Sequence, residues 1–71
     1  MINTVELNVA IMRRGLTKKK VAEILEISES SLQYKINNKR EFKVSEIVKL
    51  QNMLGLSVAE TNDIFLQGRV N

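Results

Sequence analysis

Residues Thr17 to Ile36 read TKKKVAEILEISESSLQYKI, two short amphipathic helical patterns joined by about three residues. In the first half Val21, Ala22, Ile24 and Leu25 fall on one helical stripe, and Thr17 stands where an N-cap accepts backbone N–H bonds. The second half opens at Ser28, another cap residue, and keeps Leu32 and Ile36 one turn apart. Glu26 and Ile27 make the corner, with Ile27 free to drop into a core as the chain reverses. Two helices crossing steeply over so short a turn need close approach, and the small Ala22 permits it.

Length and composition agree with a small helical bundle. A chain of 71 residues buries only a modest core, so a single domain over 1–71 is expected, with self-association a natural supplement. Aliphatic residues dominate, proline is absent, and aromatics are limited to Tyr34, Phe42 and Phe65. No strand-like alternation persists beyond a few residues. The fold class is read as all-α, a compact bundle of about five short helices.

The remaining elements follow from periodicity and punctuation. The first helix is expected over about Thr4 to Arg14, with Leu7, Ala10 and Ile11 inward and Gly15 as the stop. The pair then occupies about Lys18 to Leu25 and Glu29 to Asn37, and Asn38 is suited to a left-handed C-cap. A fourth helix spans about Val44 to Leu54, with Ile47, Leu50 and Leu54 inward and Gly55 closing it. Ser57 and Glu60 have capping-box spacing and start a fifth helix that runs to about Leu66. Residues 67–71 are expected to fray.

Charge narrows the choice of partner. Eleven Lys plus Arg against eight Asp plus Glu leave a net charge of +3, compatible with a polyanion. The distribution says more than the total: Arg13, Arg14, Lys18, Lys19, Lys20, Lys35, Lys39, Arg40 and Lys43 bracket the two-helix unit. The Lys18-Lys19-Lys20 run at a helix start opposes the helix dipole, a cost on the order of a few tenths of a kcal/mol that an approaching phosphate would reverse. With neither His nor Cys, the chain offers no general base near neutrality, no metal-ligand cluster and no disulfide framework. No enzyme activity, metal or other cofactor is expected. No apolar run approaches the roughly 18 residues of a membrane span, and no signal peptide is read, so a cytoplasmic protein is the default.

Several stretches carry a family resemblance, in order: Gly15-Leu16-Thr17, Val21-Ala22-Glu23-Ile24-Leu25, Ile27-Ser28, Lys35-Ile36-Asn37-Asn38-Lys39-Arg40-Glu41-Phe42, Ser45-Glu46-Ile47, Leu54-Gly55-Leu56-Ser57 and Ile64-Phe65. On these the chain resembles phage Cro and repressor-type helix-turn-helix proteins of the XRE (lambda-repressor-like) family, and its Lys35-to-Phe42 stretch resembles small phage versions from low-GC Gram-positive hosts in particular. Three positions depart from the usual pattern. Lys18 replaces a frequent Gln, Glu26 replaces a frequent turn Gly, and Lys35 stands where many members have an apolar residue. If the Glu26 corner is left-handed, it costs about 1 kcal/mol.

The resemblance implies a helix-turn-helix unit at about 17–37 whose second helix lies in the major groove of double-stranded operator DNA. With Leu32 and Ile36 inward, that helix exposes Glu29, Ser30, Gln33, Tyr34 and Asn37. The family's base-reading places fall on Glu29, Ser30 and Tyr34, with Gln33 adjacent. Glu accepts from cytosine N4, Gln binds adenine bidentately, and Tyr reaches a thymine methyl or a phosphate. Glu29 also fits a plain dipole-stabilising role in a first helical turn. Lys18 matches a family phosphate contact, and Lys39 and Arg40 follow the helix where members grip the backbone. Ser28 and Lys43 rank behind them. Phe42 is read as a loop aromatic plugging the core.

Two further surfaces suggest protein partners. Val5, Val9 and Met12, extended by Ile2, form a stripe on the first helix away from Leu7 and Ile11. In the C-terminal segment Ile64 and Phe65 suit the core, whereas Leu66 and Val70 suit an interface. The family often dimerises through this region about a two-fold axis, which sets half-sites about 34 Å apart. The leading expectation is a Cro-like, dimeric transcriptional regulator acting at a lysis–lysogeny switch. The alternative is a modulator or antirepressor that binds the phage main repressor and masks its DNA-reading surface. Neither needs a membrane or a small-molecule substrate.

Overall fold

The computed structural model describes residues 1–66, which hold helices α1 (Thr4–Arg13), α2 (Lys18–Leu25), α3 (Glu29–Ile36), α4 (Val44–Leu54) and α5 (Val58–Phe65) and no strand. The segment expected to fray, 67–71, lies outside the described residues, and so does Val70. α1, α3 and α5 each stop one residue short of the expected end, because Arg14, Asn37 and Leu66 are caps.

Local chemistry explains the starts. Thr17 Oγ1 accepts the Lys20 N–H at 3.1 Å, Ser28 Oγ the Ser31 N–H at 3.0 Å, and Ser57 Oγ the Glu60 N–H at 3.1 Å. At α5 the box is reciprocal, since Glu60 Oε1 accepts the Ser57 N–H at 2.9 Å. Asn3 caps α1, its Oδ1 accepting the Glu6 N–H at 3.1 Å.

The ends of α1, α2, α3 and α4 share one device. In each the residue at the corner is left-handed: Gly15 (φ 68°), Glu26 (φ 60°), Asn38 (φ 63°) and Gly55 (φ 64°). The next amide then reaches back five residues. Leu16 donates to Ile11 O at 3.2 Å, Ile27 to Ala22 O at 3.0 Å, Lys39 to Tyr34 O at 2.8 Å and Leu56 to Gln51 O at 3.0 Å. Leu16, Ile27 and Leu56 turn their side chains onto the core, the apolar contact that usually accompanies this closure. Lys39 is exposed instead, so at α3 this position carries a cation where the other three carry an apolar side chain.

One apolar core holds the helices: Leu7 and Ile11 from α1, Val21, Ala22 and Leu25 from α2, Leu32 and Ile36 from α3, Leu50 and Leu54 from α4, Ile64 and Phe65 from α5. α2 packs on α3 and α4, and α1 on α5. Ala10, Ile27 and Ile47 pack against this core as expected, and Phe42 plugs it, its ring edge-on to Phe65 with centroids 5.5 Å apart.

Two assignments need correction. Ile24 is 38% exposed and outside the core, because one residue back from Leu25 is a rotation of about 100° on a helix. Ile2 packs against the core and does not extend the outer stripe of α1. The N-terminus is tied down by bonds to distant elements: the Asn3 N–H donates to Ile64 O at 2.7 Å, and Thr4 Oγ1 to Ile36 O at 2.6 Å.

Candidate nucleic-acid interface

The left-handed Glu26 corner sets α3 across α2 with Leu32 and Ile36 inward. The side of α3 away from Leu32, Lys35 and Ile36 faces outward. Glu29 and Ser30 are exposed on the first turn, Tyr34 is 46% exposed one turn on, and Gln33 lies half-buried between them. Gln33 is held in place, since Lys18 Nζ donates to its Oε1 at 3.3 Å. A residue expected to contact phosphate and one expected to read bases thus meet at the junction of α2 and α3.

Cations precede and follow this helix in the chain. Lys18, Lys39, Arg40 and Lys43 are all exposed. Among the described residues Lys18, Lys39 and Arg40 take part in no ion pair, whereas Lys20 lies 3.8 Å from Glu23 and Lys49 lies 3.6 Å from Glu26. Arg40 lies over the Tyr34 ring, its guanidinium carbon 5.3 Å from the centroid, so the loop after α3 folds back on the helix. The Ser28 hydroxyl is occupied with capping, accepting from the Ser31 N–H and donating to Ser31 Oγ, each at 3.0 Å.

Lys35 departs from the surface role that its charge suggested. It is buried on α3 and ion-paired with buried Glu46 of α4, Nζ lying 2.6 and 2.7 Å from the two carboxylate oxygens. Lys35 therefore leaves the cationic frame around α3 and joins Ile36 inside. Burial pushes the Glu46 carboxyl up. The Lys35 ammonium, the Lys43 N–H bond and the Lys43 charge outweigh burial and hold it below the ordinary glutamate value. Nothing in residue type marked Glu46 as interior. Its place three residues after Lys43, the N3 position of α4, was the available signal.

The protein-facing candidates differ in exposure. Val5 and Met12 are 68% and 75% exposed, while Val9 is half-buried. Leu66 is 40% exposed and borders an open groove of about 510 Å³ together with Met1, Phe42 and Val44. No group of His, Cys, Asp and Glu among the described residues could hold a metal ion, and no helix there is long and apolar enough to cross a membrane.

Comparison with known proteins adds one finding. A family model described as Helix-turn-helix matches residues 10–60, from the middle of α1 into α5 and across the whole α2–α3 unit. Neither a search of curated proteins nor one of solved structures gives a match. The family match spans most of the chain, and the outward side of α3, its cationic frame and the tight α2–α3 corner are what such a domain needs to sit on a duplex. This chain belongs to the XRE (lambda-repressor-like) helix-turn-helix family of DNA-binding regulators.

Proposed function

We propose that the protein is a Cro-like, sequence-specific regulator of phage operators in a lysis–lysogeny switch, binding as a homodimer. The observation that carries this reading is the outer face of α3, where Glu29, Ser30 and Tyr34 are open and Lys18, Lys39 and Arg40 stand around them without acidic partners among the described residues. In this reading Glu29 accepts from a cytosine amine, Gln33 and Ser30 bond base edges, and Tyr34 packs on a thymine methyl. Lys18, Lys39, Arg40 and Lys43 neutralise phosphates and set the register, with the Ser28 region alongside. Leu66 and Val70 join two copies, so half-sites fall about one helical turn, 34 Å, apart. The test is a gel-shift titration and footprint on promoter DNA from a phage genome. Salt-sensitive binding with two protected half-sites is expected, and binding indifferent to sequence would contradict it.

A second reading rests on α1. Val5 and Met12 remain largely exposed on the side away from Leu7 and Ile11, an apolar stripe that suits a protein partner. In that reading the partner is the phage main repressor, whose DNA-reading surface is masked. A gel shift seen only when that repressor is present would favour it over the first.

A further inference from the structure

We propose that the buried Lys35–Glu46 pair is a positioning device for the phosphate-gripping loop between α3 and α4, acting on DNA binding through Lys39, Arg40 and Lys43 without touching the duplex. The proposal rests on the DNA-binding reading above. Glu46 Oε1 does two things at once: it receives Lys35 Nζ at 2.6 Å and the backbone N–H of Lys43 at 2.8 Å. The same ammonium lies 6.0 Å from the centroid of Phe42, whose ring packs edge-on against Phe65. One carboxylate therefore fastens the last residue of the loop to the last turn of α3.

The other end of the loop is fastened as well. The Lys39 N–H closes onto Tyr34 O at 2.8 Å, and the Asn38 carboxamide bonds both backbone groups of Ile2, at 2.6 and 3.2 Å. Lys39, Arg40 and Lys43 thus sit on a short segment pinned at Asn38, Phe42 and Lys43, all three cations reaching solvent. Stability alone does not require charges for this. A buried ion pair is commonly matched or exceeded by apolar residues of similar volume, so what the pair adds is direction. An apolar side chain at 46 cannot accept the Lys43 N–H, and no other acceptor for that amide is seen among the described residues.

Two double variants separate the anchor from the packing. K35M/E46L fills the site with apolar groups and removes the acceptor, whereas K35M/E46Q removes the buried charges and keeps an acceptor for Lys43. Binding is read by fluorescence anisotropy with a labelled mixed-sequence duplex of about 30 base pairs between about 50 and 200 mM salt. K35M/E46L, folded by circular dichroism, is expected to bind about tenfold more weakly at the lowest salt, with a log–log slope shallower by about 0.9 to 1.8, one or two phosphates. K35M/E46Q, which keeps the acceptor for Lys43 and loses the tie to α3, is expected to fall between wild type and K35M/E46L. Equal affinity and slope for wild type and K35M/E46L overturn the proposal.

A measurement on the wild-type protein covers the case in which K35M/E46L does not fold. Backbone relaxation of residues 39–43 is expected to give order parameters near the rigid value of about 0.85, and values below about 0.6 overturn the anchoring. Failure of the underlying reading is separately visible: wild-type protein that shows no salt-dependent binding contradicts the DNA-binding function itself.

Discussion

Lys18 at the start of α2 donates from Nζ to Gln33 Oε1 on α3 at 3.3 Å, and this contact ties the cation proposed to grip a phosphate to the amide proposed to read a base. A neutral amide satisfies one donor of the ammonium without cancelling its charge, so Lys18 still attracts a phosphate. The two residues should nonetheless fail differently. Lys18→Ala is expected to weaken binding about equally on all sequences and to reduce the salt slope by about 0.9. Gln33→Ala is expected to cost about 1–3 kcal/mol on the preferred site and far less on others. Anisotropy titrations of both variants on matched and scrambled duplexes distinguish these outcomes.

Glu26 adopts φ 60° at the α2–α3 corner, a strained place for a side chain with a Cβ. Its carboxylate gains only an exposed contact with Lys49 at 3.6 Å, which contributes little. Glu26→Gly is therefore expected to stabilise the protein by about 0.5–1 kcal/mol, a few degrees in thermal melting for a chain of this size. An unchanged or lower melting temperature would show that the corner carries no strain.

Asn38 has the same backbone sign, φ 63°, and the opposite expectation. Its side chain earns its place by bonding the amide and carbonyl of Ile2. Asn38→Gly keeps the backbone and loses these bonds, costing about 1 kcal/mol, while Asn38→Ala adds left-handed strain for a total of about 2 kcal/mol. Chemical denaturation should rank the proteins as wild type, then Gly, then Ala. A Gly variant as stable as wild type would mean that the link to Ile2 contributes nothing.

Acid should loosen the α3–α4 connection. Glu46 is held below the ordinary value of 4.5, with Lys35 and the Lys43 N–H outweighing the upward push of burial. Exposed Glu60 is also lowered, chiefly by its hydrogen bonds with Ser57. A carboxyl whose folded pKa is depressed contributes stability that is present above its unfolded value and lost as pH falls through the folded one. Stability should therefore decline as pH drops below about 4.5. The K35M/E46L variant should show a smaller decline, and melting temperature against pH for the two proteins checks the difference.

The parts of the fold that depend on near neighbours were legible in the chain. Thr17, Ser28 and Ser57 announced helix starts because a short hydroxyl side chain can reach an amide three residues on, and Gly15 and Gly55 announced stops. Leu32 and Ile36 fixed the inward side of α3 and with it the outward position of Ser30 and Tyr34. What escaped depends on contacts distant in sequence. Lys35 reads as a solvated charge until α4 brings Glu46 beside it, and the grip of Asn38 on Ile2 spans 36 residues. Ile24 was misplaced because a helix of eight residues leaves the edge of its buried side undetermined by periodicity.

The most direct test of the cationic frame around α3 is the salt dependence of DNA binding by wild type and by Lys39→Ala/Arg40→Ala. Titrations of both proteins against the same duplex between about 50 and 200 mM salt should give straight log–log plots, the variant shallower by about 1.8 and weaker at every salt concentration. Superimposable plots for the two folded proteins would contradict the assignment of this face to the nucleic acid.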